Sequence, residues 1–142
     1  MDYDKLYSEL LKPLTVKYGE LDEETLSSII GFSAGGPVSM STIESIGLYV
    51  TCELSTYDEQ IKSSEKLNFE FFSKGNISGE LCRSIFTALG NLSFNTELGN
   101  KHTIGVNGVT GDMEGIETVK LKLFSKTKIG NGLYGLYEVL PV

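Results

Sequence analysis

The stretch Ile46-Gly47-Leu48-Tyr49-Val50-Thr51-Cys52-Glu53-Leu54 alternates strictly, with Ile46, Leu48, Val50, Cys52 and Leu54 on one side and Gly47, Tyr49, Thr51 and Glu53 on the other. Successive side chains of an extended chain point to opposite faces, so this period of two predicts a half-buried β-strand. Leu67, Phe69 and Phe71 repeat the pattern, and Tyr57 to Lys66 between them is polar. The two runs read as neighbouring strands joined by a long, solvated connection. Working outward, Val119, Leu121 and Leu123 alternate with Lys120 and Lys122, and Leu133 to Leu140 is apolar on both faces apart from Glu138, as a central strand requires. Thr103 to Val106 predicts a short strand, with Asn107-Gly108 as a turn dipeptide after it. Upstream, Leu26 to Phe32 is apolar enough for a further strand, broken by Gly35-Gly36-Pro37.

Two segments change the period to that of a helix. Leu6, Tyr7, Leu10, Leu11 and Leu14 recur on one helical face, Asp2 and Asp4 suit the positive end of a helix dipole, and Pro13 places an end nearby. Ser78 is a suitable N-cap for a main helix over about 79–89, whose face is Leu81, Cys82, Ile85, Phe86, Ala88 and Leu89, with Gly90 as its stop. Strands adjoining strands and only two helices define the expected fold. It is a single α+β domain over 1–142, with a mostly antiparallel sheet of five or six strands, the main helix on one face and a short N-terminal helix.

The 142 residues suffice to bury a core without metal or disulfide support. Nineteen Asp and Glu against 12 Lys and Arg leave a formal charge of -7, which repels phosphate backbones and anionic lipid, so nucleic acid and membrane are poor partners and a basic protein is a better one. The same charge also serves the solubility of any small domain. The acidic N-terminus is unlike a signal peptide and no apolar run is long enough to span a bilayer, so the expected compartment is the cytoplasm. Cys52 and Cys82 lie among apolar residues with no ligand spacing and read as buried small hydrophobes. The Asn-x-Ser triplets at Asn76 and Asn91 have no meaning in that compartment.

The sharpest chemical motif is Gly31-Phe32-Ser33-Ala34-Gly35, a G-x-S-x-G pattern that in α/β-hydrolases forms a strained elbow exposing the serine. A serine hydrolase would pair Ser33 with the single histidine, His102, through a carboxylate lying between them in sequence. Against it stands the missing parallel sheet with crossover helices; the simpler reading is a glycine-rich turn in which Ser33 bonds its own loop. His102 has no companion ligands for zinc, and Asp112, Glu114 and Glu117 fail the calcium-loop spacing, so no metal or cofactor is expected. Gly105, Gly108 and Gly111 are not followed by the Gly-Lys-Ser/Thr of a phosphate cradle. The densest acidic stretches, Glu20, Asp22, Glu23 and Glu24 and the loop carrying Asp112 and Glu114, are candidate partner-binding residues, although a solvated face is the commoner role of such runs.

The succession Ile30-Gly31-Phe32-Ser33, Tyr49-Val50-Thr51-Cys52-Glu53-Leu54, the helix at 79–89, Lys101-His102-Thr103-Ile104, Leu121-Lys122-Leu123-Phe124 and Leu136-Tyr137-Glu138-Val139-Leu140-Pro141 resembles the suppressor-of-fused-like family over roughly residues 25–142. The chain departs from that pattern in having Phe71-Phe72 where a tryptophan is expected before the main helix, and in lacking an acidic tail. The resemblance implies binding without catalysis: acceptance of a peptide strand, and in bacterial members an immunity protein that occupies a toxin.

Overall fold

The structure is a computed structural model and describes residues 2–106 and 116–142. The fold is α+β. Six strands form one sheet: β1 (Met40–Ile43), β2 (Leu48–Thr51), β3 (Asn68–Lys74), β4 (Thr103–Gly105), β5 (Thr118–Ile129) and β6 (Gly132–Pro141), in the spatial order β1-β2-β3-β6-β5-β4. All pairs are antiparallel except β3 with β6. The central position expected for the last strand is the one β6 occupies. Its alternate residues serve two cores, Tyr137 and Val139 one face, Tyr134 and Leu136 the other.

Helix α3 (Gly79–Leu92) covers the first face with Leu81, Cys82, Ile85, Phe86 and Leu89, against Phe69, Phe71, Tyr137 and Val139 of the sheet. Ser78 caps it, its hydroxyl accepting from Leu81 N at 3.4 Å. The helix runs past Gly90, where a stop was expected, because Gly90 is buried and lets Leu54 and Phe32 close on the helix: a Cβ there would sit 2.8 Å from Leu54 Cδ2. Helices α1 (Tyr3–Leu10) and α2 (Lys12–Tyr18) cover the opposite face, laying Leu6, Leu10, Leu11 and Leu14 on Leu48, Val50, Phe72 and Leu136. Pro13 marks a helix end nearby, as expected, since α1 stops at Leu10. It sits in the first turn of α2, where a missing N–H costs nothing, and its ring disrupts the bond to the preceding turn, so the chain bends at Leu11 and continues.

Three expectations are corrected. Residues 27–31 form no strand; Ile29 is fully exposed, and only Leu26 pairs, in an isolated bridge to Met40. The edge strand is Met40–Ile43 instead, where Ser41 and Thr42 obscure the apolar alternation. The strand expected over 46–54 is limited to Leu48–Thr51 by short 3-10 turns at Glu44–Ile46 and Leu54–Thr56, the second of which carries Leu54 across to the α3 face. The connection before β3 is not wholly solvated. Gln60 is buried, and its amide both donates to Phe69 O at 2.9 Å and accepts from Phe69 N at 3.0 Å, serving the part of β3 that β2 is too short to pair. The Asn107-Gly108 turn lies outside the described residues.

Candidate functional site

The acidic stretch is positioned by the sheet edge. Asp22 N donates to Thr42 O at 2.7 Å, and Leu26 and Met40 exchange backbone bonds of 2.7 and 2.9 Å, so residues 22–26 run along the outer side of β1 and satisfy it. The Asp22 carboxylate fixes the register by accepting from Thr42 Oγ1 at 3.0 Å and Glu44 N at 2.9 Å. Glu20, Glu23 and Glu24 are left exposed, and with Glu44 they surround an open groove of about 550 Å³ floored by Leu21 and Leu26. Their carboxylates carry no hydrogen bond or ion pair among the described residues. Four unneutralised carboxylates on one rim make a field that attracts cations. Asp112 and Glu114, the other acidic candidates, lie outside the described residues.

Among the described residues no hydrogen bond joins Ser33 to His102. Ser33 is exposed on a 3-10 turn, Phe32–Ala34, closed by Gly35 at φ 93°. Near it, the Tyr57 phenol is pushed up to about 12 by burial and by its hydrogen bond to Glu53. No strand precedes the turn, no α-helix follows it, and Ser33 does not have the left-handed backbone of a strained elbow. His102 stands exposed at the head of β4, on the far edge of the sheet, in a shallow groove with Leu92, Thr96 and Glu97. The motif thus forms a glycine-rich turn.

Sequence pattern alone does not reveal Glu70, which accepts five hydrogen bonds among the described residues. Phe69 and Phe71 face α3, so Glu70 faces the N-terminal helices, where Phe72 is also buried. That Phe72 follows at the same period was the available signal that this face was not solvent. Glu70 Oε1 accepts from Thr51 Oγ1 at 2.6 Å and Leu54 N at 3.2 Å; Oε2 accepts from Ser55 N at 2.6 Å, Ser55 Oγ at 2.5 Å and Tyr7 Oη at 2.7 Å. The carboxyl thus caps the 3-10 turn at Leu54–Thr56, whose first N–H groups have no other partner, and ties it to α1. Full burial pushes Glu70 above the ordinary carboxylate range in spite of these donors, and burial beside Glu70 raises the Tyr7 phenol as well.

Next to this cluster lies a second open groove of about 600 Å³ between α1 and the sheet, reached by Tyr3, Tyr7, Ser41, Cys52 and Glu53. Burial and the neighbouring Glu70 push the Cys52 thiol up to about 12, so it is not a thiolate near neutral pH. Glu53 is engaged by Tyr57 and by Ser39 N at 2.8 Å. Among the described residues no group of three or more His, Cys, Asp or Glu is placed to hold a metal ion, and no helix is long and apolar enough to cross a membrane. Compared with family models, with curated proteins and with solved structures, the chain matches none.

Proposed function

We propose that the chain is a non-catalytic protein-binding module of the immunity type, presenting the acidic rim Glu20, Glu23, Glu24 and Glu44 to a basic partner. The observation that carries the reading is that these carboxylates, held over a groove by the Asp22 anchor, are neutralised by no lysine or arginine among the described residues. A rigid, uncompensated rim accelerates encounter with an oppositely charged protein by roughly 10–1,000-fold at low salt. The suppressor-of-fused-like resemblance implies the same class, a domain that binds without catalysis, and implies a strand at Ile30–Ser33. Its Ile30–Ser33 segment falls instead in a turn. Because residues 22–26 already occupy the outer side of β1, the partner docks on the rim and not by adding a strand at that edge.

The test is co-purification with the protein encoded beside it, using the wild type and a Glu20→Lys, Glu23→Lys, Glu24→Lys variant at low and high salt. The expected outcome is a complex whose association rate falls at least about tenfold in the variant and in high salt. No complex, or one indifferent to both changes, overturns the reading.

A further inference from the structure

We infer that Arg83, the chain's single arginine, is the anion-recognising group of a separate site that takes a monocarboxylate on an apolar chain. Arg83 lies on α3 in the wall of a groove of about 550 Å³ whose other walls include Leu26, Gly35, Gly36, Pro37 and Gly79. Among the described residues, its Nε and Nη2 are both screened from solvent and have no hydrogen-bond partner. Buried donors are paired in nearly all native structures, and an unpaired guanidinium edge is costly, so an orphaned pair on one side chain points to an acceptor supplied from outside. The chain carries 19 carboxylates with which it could have paired its one arginine. The nearest in sequence, Glu80 one turn earlier on α3, lines the same groove, yet forms no ion pair with it.

The two orphaned atoms define the ligand. Nε and Nη2 lie on the same edge of the planar guanidinium and present two parallel N–H bonds, the fork that matches both oxygens of one carboxylate. Binding requires the terminal torsions of the side chain to turn that edge toward the groove. Apolar walls at Leu26 and Pro37 suit a hydrocarbon chain on the far side of the carboxylate, and the exposed Ile29 and Ile30, whose segment presses on Gly36 through the Ile30 carbonyl, continue that surface outward. Glu80 on the rim opposes a second negative charge, which selects a monoanion over phosphate.

With one arginine, the Nε–Hε region of a nitrogen-15 correlation spectrum holds a single cross-peak, which reads the site directly. Titration with hexanoate is expected to move it saturably downfield, while hexanamide leaves it in place and inorganic phosphate binds at least about tenfold more weakly. A free-acid apolar peptide and its amidated twin then separate the two sources of a carboxylate: binding of the free acid only assigns a peptide C-terminus, and binding of hexanoate alone assigns a small molecule. Arg83→Lys keeps the charge but loses the fork and is expected to weaken hexanoate about tenfold or more. Arg83→Met is expected to abolish binding with an unchanged or higher Tm, since an orphaned guanidinium contributes no stability. An unmoved cross-peak, an equal shift with hexanamide, or an Arg83→Met protein that melts lower and still binds hexanoate overturns the proposal. The Glu20, Glu23, Glu24 variant leaves these results unchanged, so the two sites are judged separately.

Discussion

Two glutamates are shifted in opposite directions, so they respond to pH oppositely. Glu70 is raised by burial, so above the ordinary carboxylate value the folded chain holds a proton that the unfolded chain has released, and stability falls as pH climbs from that value toward the folded pKa. Protonation is accommodated because Thr51 Oγ1 has a second acceptor, Phe71 O at 3.4 Å, and can receive from Glu70 instead of donating to it. Urea midpoints are therefore expected to be lower at about pH 8 than at about pH 5, and Glu70→Gln, neutral throughout, to remove most of the difference; a midpoint that rises over this interval would refute the assignment. Burial pushes Glu65 the other way from its hydrogen bonds, and the bonds win: Tyr137 Oη at 2.6 Å and Asn100 N at 2.9 Å hold it below the ordinary range. Its contribution is present above that range and disappears as pH falls. Tyr7→Phe removes the phenol that joins α1 to Glu70 and is expected to cost about 1–2 kcal/mol, measured by denaturation near neutral pH.

Among the elements, the exposed segment before β1 depends on one close approach. Gly36 places its Cα against the Ile30 carbonyl, and a Cβ would lie 1.8 Å from that oxygen and 2.9 Å from the Gly31 oxygen. Backbone cannot yield as a side-chain tip can, so Gly36→Ala is expected to cost about 2–3 kcal/mol, while Gly31→Ala, whose Cβ meets nothing, stays close to wild type. Comparing the two melting temperatures checks this. The elements also show where local pattern and structure part. The helix over Leu81 to Leu89 was readable because a 3.6-residue stripe this long has no competing interpretation. Leu26 to Phe32 has the composition of a strand, but the ladder beside β2 is taken by Met40–Ile43, which leaves Ile29 and Ile30 no layer to enter.

Across the whole molecule, two cores share one sheet. Phe69 and Phe71 of β3 face α3 while Phe72 faces α1, and β6 divides its side chains in the same way. Neither core can open without exposing the strands of the other. Leu10→Ala on one face and Ile85→Ala on the other are each expected to cost about 2–5 kcal/mol and to keep a single coincident unfolding transition by circular dichroism and tyrosine fluorescence. Separate transitions would mean two independent layers. The placement of the acidic charge is likewise a property of the assembled molecule, because folding gathers Glu20, Glu23, Glu24 and Glu44 on one rim.

Periodicity alone determined the class: extended runs of period two, the amphipathic helix with its Ser78 cap, and a last strand apolar on both faces can only be an α+β fold with that strand inside the sheet. These are properties of residues within a few positions of each other. Tertiary structure decided what depends on distant contacts. Glu70 looks like a solvent-facing strand residue until α1 is laid over it, and Gly90 looks like a helix stop until Leu54 and Phe32 close on it. Ser33 looks like a nucleophile elbow until the backbone shows a short 3-10 turn with no left-handed residue at the serine. Burial is settled by whatever packs across the chain, and short-range pattern carries no record of that.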